Sequence, residues 1–329
     1  MMNAHTVTAA RPLPIFIAFL RDYGAILGML AVFVIVEFLK PSFLHIANIE
    51  NVLRQSAILI IISLGLTVVL LMRGVDLSIA QITDAAAIMA AGMLIHGAPV
   101  WLAILAPIAL AGLLGAINGA LMAYVGIPAI IGTLGMMFAI RSGELIYTHG
   151  SEPQILFTLP GSVTQAFFFI GQQKIGHVPL LILLAAAIFG LVYVLMALTP
   201  FGRQARAVGS NVRAAYLAGI DIRRVFGAGF IVSGLLAGVA GVAMASRTGI
   251  AMPRGAEPFL LDAFAACYLG TLASRGGAMT IPGTLIGALF VAFLSNGLTM
   301  LGLGAPYRFA LNGGFILLAM AVGALRSAR

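Results

Sequence analysis

The chain has 329 residues, of which 61% are hydrophobic and only 9% charged, and its mean hydropathy is +1.11. Soluble globular domains carry about 25% charged residues, so a soluble domain is excluded. The net charge of +8 and pI near 10.3 fit arginines that set orientation and meet anionic lipid headgroups; membrane lipid is the expected partner, not nucleic acid.

Apolar runs of about 20 residues, enough to cross roughly 30 Å of hydrocarbon, recur along the sequence. They predict an all-α polytopic membrane protein, one transmembrane domain over residues 1–329. The runs are too continuous for the alternating strands of a barrel. The start, "MMNAHTVTAARPLPIF", lacks the regions of a signal peptide, so the first span is expected to be retained. About ten spans are predicted, at 24–40, 52–72, 77–95, 100–123, 128–147, 179–198, 225–246, 259–273, 282–301 and 307–325. Two connections are long: 148–178, expected outside, and 199–224, expected in the cytoplasm. With both termini cytoplasmic, Arg11, Arg21, Arg73, Arg203, Arg206, Arg213, Arg223, Arg224, Arg275, Arg326 and Arg329 lie inside. Lys40, Arg54, Lys174, Arg247, Arg254 and Arg308 lie outside, and Arg141 falls within a span. This asymmetry follows the positive-inside rule. The one cysteine, Cys267, permits neither an internal disulfide nor a thiolate metal site.

A charge inside a bilayer costs roughly 2.5–3.5 kcal/mol on insertion scales, which makes an intramembrane acid a functional candidate. Asp76, Ser78, Gln81 and Asp84 open the third span. Asp76 reads equally as a helix cap accepting from amides near Ser78 and Ile79 and as a functional group. Asp84, two turns deeper on roughly the same face, is not explained by capping. Arg141 and Glu144, three apart, are expected to pair with each other, while Glu37 and Asp262 lie near span ends and are assigned no role. Asn118, Thr133, Asn296 and Asn312 are neutral hydrogen-bonding groups on spans four, five, nine and ten. Bonds between helices explain any one of them; together with Asp76, Ser78 and Asp84 they are the candidate lining of a translocation pathway. The run "GMMF" at 135–138 reads as packing. "GLLGAING" (112–119) and "GAGFIVSGLLAGVAG" (227–241) place small residues about four apart, which lets helices approach closely.

The segment 199–224 interrupts the apolar text with arginines and glycines. Pro200 ends the sixth span. "GRQARAVG" (202–209) reads as a short helix stopped by Gly209 in a left-handed conformation. Ser210 and Asn211 then offer an N-cap, "VRAAYLA" a second short helix, and Gly219 a second stop. Arg203 and Arg206 share a face. The segment reads as a docking surface for a cytoplasmic partner, against the plainer reading of a basic loop with incidental helicity.

The stretch "TPFGRQARAVGSNVRAAYLAGI" (199–220) resembles the cytoplasmic coupling segment of permease subunits of ribose-type ABC sugar importers. The likeness extends to "RGVDLSIAQ" (73–81), "NGALMAYVGIPAIIGTLGMMFAIRS" (118–142) and "LDAFAACYLGTLASRGGAMTIPGTLIGALFVAFLSNGL" (261–298), in the family's order. One departure is "GTLASRGGAMT" at 270–280, where the family reads close to "GTSLAGGRGS". The resemblance implies an inverted-repeat fold in which spans two to five and seven to ten form the halves. It also implies a homo- or heterodimeric pore in the bacterial inner membrane, cytoplasmic ATPase subunits and an extracytoplasmic sugar-binding protein. Import of a ribose-like monosaccharide by ATP-driven alternating access would follow. The coupling residues it implies are Gly202, Arg203, Arg206, Ala207, Gly209, Asn211, Ala214, Ala215, Gly219 and Ile220.

A phosphate-cradling loop needs glycines followed by a lysine and a Ser or Thr. The two lysines sit in "FLKPS" and "QQKIG", so no cofactor is expected on this chain, with ATP and Mg left to the partner ATPase. The alternative is an ion-coupled secondary transporter using Asp76 or Asp84, which would need no folded dock at 199–224. An intramembrane enzyme fits worst, because HExxH, GxSxG and paired catalytic aspartates are absent. His45, His96, His149 and His177 fall in outside loops and His5 in the tail.

Overall fold

Backbone amides in hydrocarbon have no water to bond, so each apolar run must satisfy its own N–H and C=O groups as a helix. The computed structural model describes residues 15–274 and 277–327; Arg11, Arg275 and Arg329, used above for orientation, lie outside them. In chain order come α1 (Ile15–Leu39), α2 (Ile46–Leu71), α3 (Ile79–Ile95) and α4 (Val100–Ala120), which runs into a π-helical turn (Leu121–Val125). There follow α5 (Ala129–Tyr147), α6 (Gly161–Gln172), α7 (Leu180–Leu198), α8 (Pro200–Ser210) and α9 (Val212–Leu217). The chain closes with α10 (Ile222–Thr248), α11 (Glu257–Ala273), α12 (Ile281–Met300) and α13 (Ala305–Ser327). Two short antiparallel pairs tie the connections: β1 (Gln154–Ile155) with β4 (Ile250–Ala251), and β2 (Lys174–Ile175) with β3 (Val178–Pro179).

All ten expected spans coincide with a long helix. Six of these, α2, α4 with its π turn, α5, α7, α10 and α12, are long and apolar enough to cross a membrane by length and composition. By contrast α3 and α11 have 17 residues each, about 25 Å at 1.5 Å per residue. Each is preceded by a non-helical stretch, 72–78 and 249–256. Residues 148–178 carry α6, which the sequence reading treated only as a loop.

Helices α2 and α10 form the centre, with 83% and 61% of their apolar windows buried, against 28% for α4 and α7. Around them the packing repeats. Helix α10 lies against α4 and α3, as α2 lies against α12 and α11; α3 packs on α4 and α5, as α11 packs on α12 and α13. Exchanging α2 with α10, α3 with α11, α4 with α12 and α5 with α13 reproduces this scheme.

Helix α4 crosses α10 at close range, and glycine makes the contact. A Cβ on Gly115 would run into the carbonyl oxygen of Phe230, one on Gly234 into that of Ala111, and one on Gly119 would lie 2.8 Å from Gly227 Cα. The four-residue spacing of small residues therefore sets a backbone-to-backbone contact.

Candidate coupling surface and pathway residues

Thr199 leaves α7 in an extended conformation, and Pro200 opens α8, where its missing N–H would have had no partner anyway. One face of α8 buries Gly202, Ala205 and Val208. A Cβ on Gly202 would meet the carbonyl of Met196, and one on Gly209 the carbonyl of Leu71. Gly209 is thus a contact glycine pressed against the end of α2. It is not the expected left-handed stop: its φ is not positive, and α8 continues to Ser210. The turn comes at Asn211 (φ −153°), whose Oδ1 accepts from the Ala214 amide at 3.0 Å and caps α9. Ala215 is buried beneath α9. Gly219, at φ +80°, ends it as expected, and the Ile220 amide returns to the Ala215 carbonyl at 3.1 Å.

The arginines of this region serve the helix ends. Arg206 donates to the Met196 carbonyl and Arg203 Nη1 to that of Leu198 at 3.4 Å, both at the C-terminus of α7. Arg73, in the left-handed region at φ 61°, donates from Nη2 to the Ser210 carbonyl at 3.1 Å and joins the end of α2 to that of α8. Positive charge is favoured at helix C-termini. Ala207 is half-buried behind them. What faces away from the bundle is α9: Val212, Arg213 and Ala214, with Tyr216 at 69% and Leu217 at 79% exposure. Here apolar side chains stand outside the helices that pack against α8.

Behind this end lies a buried polar network. Asp76 is fully buried. Its Oδ1 accepts from the Ser78 amide at 3.0 Å and the Ser78 hydroxyl at 2.7 Å, and its Oδ2 accepts from Ser233 Oγ at 2.9 Å. Ser78 Oγ in turn accepts from Asn118 Nδ2 at 2.8 Å. Thr133 donates to the carbonyls of Ala129 (2.8 Å) and Val75 (3.2 Å). The network joins the 72–78 stretch to α4, α5 and α10, and each buried donor has an acceptor.

The other polar candidates lie elsewhere. Asp84, buried in α3, accepts from the Ala256 amide at 2.7 Å and fastens α3 to the N-terminus of α11. Asn296 accepts from Asn48 Nδ2 at 2.9 Å, and Asn312 donates to Asp262 Oδ1 at 2.6 Å. Asp262, only 5% exposed, thus joins α11 to α13, which corrects the expectation that it has no role. Nor do Arg141 and Glu144 pair: Arg141 Nη1 reaches Glu257 Oε2 at 3.3 Å, an oxygen that also accepts from Arg254 Nε at 2.6 Å. The Arg254 guanidinium holds the Glu257 carboxyl below the usual carboxylate range.

The family described as "Branched-chain amino acid transport system / permease component" matches residues 48–324. The chain belongs to this permease family. Among curated relatives, it is 36% identical to the ribose import permease of Bacillus subtilis, covering 94% of both chains. It is 33% identical to the ribose import permease of Escherichia coli K12, over 93% of this chain and 94% of that one. The galactose/methyl galactoside import permease of Salmonella typhimurium is 30% identical, over 95% and 97%. No solved structure matches. The permease is therefore a multi-pass protein of the bacterial inner membrane.

Several residues of the permease escaped the sequence reading. Ser233 carries one arm of the Asp76 network; its signal was a lone hydroxyl in the apolar run "FIVSGLL". Arg308 lies 3.9 Å from Asp262, a pairing across two helices that no local spacing announces. Leu217, 79% exposed beside Tyr216, is the apolar residue of this segment that the sequence alone does not single out.

Proposed function

We propose that this chain is the membrane-spanning subunit of an ATP-driven importer of a ribose-like monosaccharide or related small sugar. Its ten long helices all cross the membrane, with both termini in the cytoplasm. The helix exchange that maps α2–α5 onto α10–α13 supports two halves of inverted topology, since each helix comes five spans after its counterpart, an odd number that reverses its direction. The observation that carries the reading is the α8–α9 unit. It is fixed to α2 by Gly209 and Arg73 and to α7 by Gly202 and Arg206, while α9 offers Tyr216 and Leu217 outward. A cytoplasmic ATPase docked on α9 can push on two spans at once, and ATP and Mg stay on that partner. A second permease protomer completes the pore, and an extracytoplasmic binding protein delivers the sugar. Names of the relatives, which are ribose and galactose import permeases, support the substrate class.

Reconstitution of the chain with its ATPase and binding protein in proteoliposomes tests the proposal. Uptake of radiolabelled D-ribose or D-galactose is expected to require ATP and to ignore collapse of sodium and proton gradients. Uptake that follows an ion gradient without ATP contradicts it.

A further inference from the structure

The end of the bundle that carries α6 contains a cavity of about 290 Å³. At ~30 Å³ per water it has room for about ten waters, the scale of a single monosaccharide ring. Its wall brings together groups distant in sequence: Asn51 and Gln55 from α2, Arg247 from α10, Phe259 and Asp262 from α11, and Arg308 from α13.

This combination suits a polyol. Each sugar hydroxyl is both donor and acceptor; guanidiniums supply fixed donors, a carboxylate accepts from a vicinal pair, and amides do either. An aromatic ring gives the C–H face of a sugar an apolar surface. The protein leaves part of this capacity open. Ser295 Oγ and Arg308 Nε are buried here without a hydrogen-bond partner among the described residues, and the 3.9 Å between Arg308 Nε and Asp262 Oδ1 is too long for a hydrogen bond. Asn51, Gln55 and Thr299 are exposed, so the cavity reaches solvent. A cavity of about 540 Å³ between α3, α4 and α5 is lined mainly by apolar side chains and offers no comparable donor set.

We propose that the polar cavity is a monosaccharide subsite on the route through the permease, with Arg247, Arg308 and Asp262 holding ring hydroxyls and Phe259 facing the C–H surface. The assignment rests on the sugar-import reading above. A site crossed in transport must bind weakly, and a pocket that opens to solvent through amides and a threonine meets that need.

The test is cysteine protection. Cys267 is fully buried, so a Thr299→Cys variant places the one reactive thiol at the cavity mouth. The full chain in lipid nanodiscs is labelled with a membrane-impermeant methanethiosulfonate reagent, with and without D-ribose or D-galactose. One of these sugars is expected to slow labelling, and Arg247→Gln or Phe259→Leu in the same background to abolish that protection. In the assembled importer the same two changes should raise the KM for uptake about tenfold, or ~1.4 kcal/mol, with Vmax retained. Labelling at one rate with every sugar, while the importer still carries ribose or galactose, overturns the subsite and leaves the import reading intact. An assembled importer that takes up no sugar overturns the import reading itself, and the subsite with it.

Discussion

Asp84 and Asp262 occupy the same place in the two halves of the permease, each the sixth residue of its helix, counting α3 from Ile79 and α11 from Glu257. Their surroundings differ. Asp84 is sealed in the bundle, accepting from the backbone at the start of α11, and nearby Asp76, Ser78, Asn118 and Ser233 bond one another. Asp262 borders a cavity open to solvent; buried polar atoms without a partner occur on both sides, Asp84 Oδ2 and Asn118 Oδ1 on one, Ser295 Oγ and Arg308 Nε on the other. A repeated helix arrangement thus fixes where polar groups stand without fixing what they do. In both halves they join helices; only in the second does the acid also border an open cavity.

The sharpest way to break this comparison is to remove the acids. Asp76→Ala leaves three buried donors without an acceptor, and should lower stability by ~3 kcal/mol, the upper end of the range for unsatisfied buried groups. Asp262→Ala strands one buried donor, the Asn312 amide, and should cost less, ~1 kcal/mol, the lower end of the same range. Thermal unfolding of the two variants in detergent decides it, and equal losses would erase the distinction.

Next comes the glycine contact between α4 and α10. Gly115→Leu overpacks a backbone crossing and should cost ~1–3 kcal/mol, while Gly190→Ala on α7, where a Cβ meets nothing within 4 Å, should hold or raise the melting temperature, since Ala favours a helix interior over Gly. A smaller difference separates the asparagines. Asn118→Ala breaks a buried bond between elements at ~0.6–1.7 kcal/mol, whereas Asn296→Ala, at the edge of the wet cavity, should fall below that range in the same melting assay.

The smallest effect is acid sensitivity. Arg254 holds the carboxyl of Glu257 below its ordinary range, so the ion pair contributes above the unfolded carboxyl pKa of about 4.3 and is lost as pH falls through the lower folded value. Glu257→Gln should therefore lower stability slightly at neutral pH and remove the slope at the acid end; an acid slope that persists would mean that other carboxyls carry it.

The helices at the expected spans were legible because hydropathy over about 20 residues reports what hydrocarbon requires, and the two short helices within 199–224 because Pro200, Asn211 and Gly219 act locally on the backbone. Gly209 misled for a physical reason: glycine serves both left-handed turns and close contacts, and only the position of Leu71 tells which. The pairings of Arg141 with Glu257 and of Asn312 with Asp262 join residues 116 and 50 positions apart, beyond the reach of helical spacing. Side chains on α9 were readable one by one, but their exposure depends on which face of α8 packs inward.

The account turns on α9 as the point where ATP hydrolysis reaches this chain. The direct measurement is the ATPase activity that co-purifies with the tagged, gently solubilised protein, compared with a Tyr216→Ser, Leu217→Ser double variant. Both side chains are exposed, so the variant should keep the native melting temperature and lose most of the bound ATPase. A folded variant that retains the full ATPase complement would contradict the account.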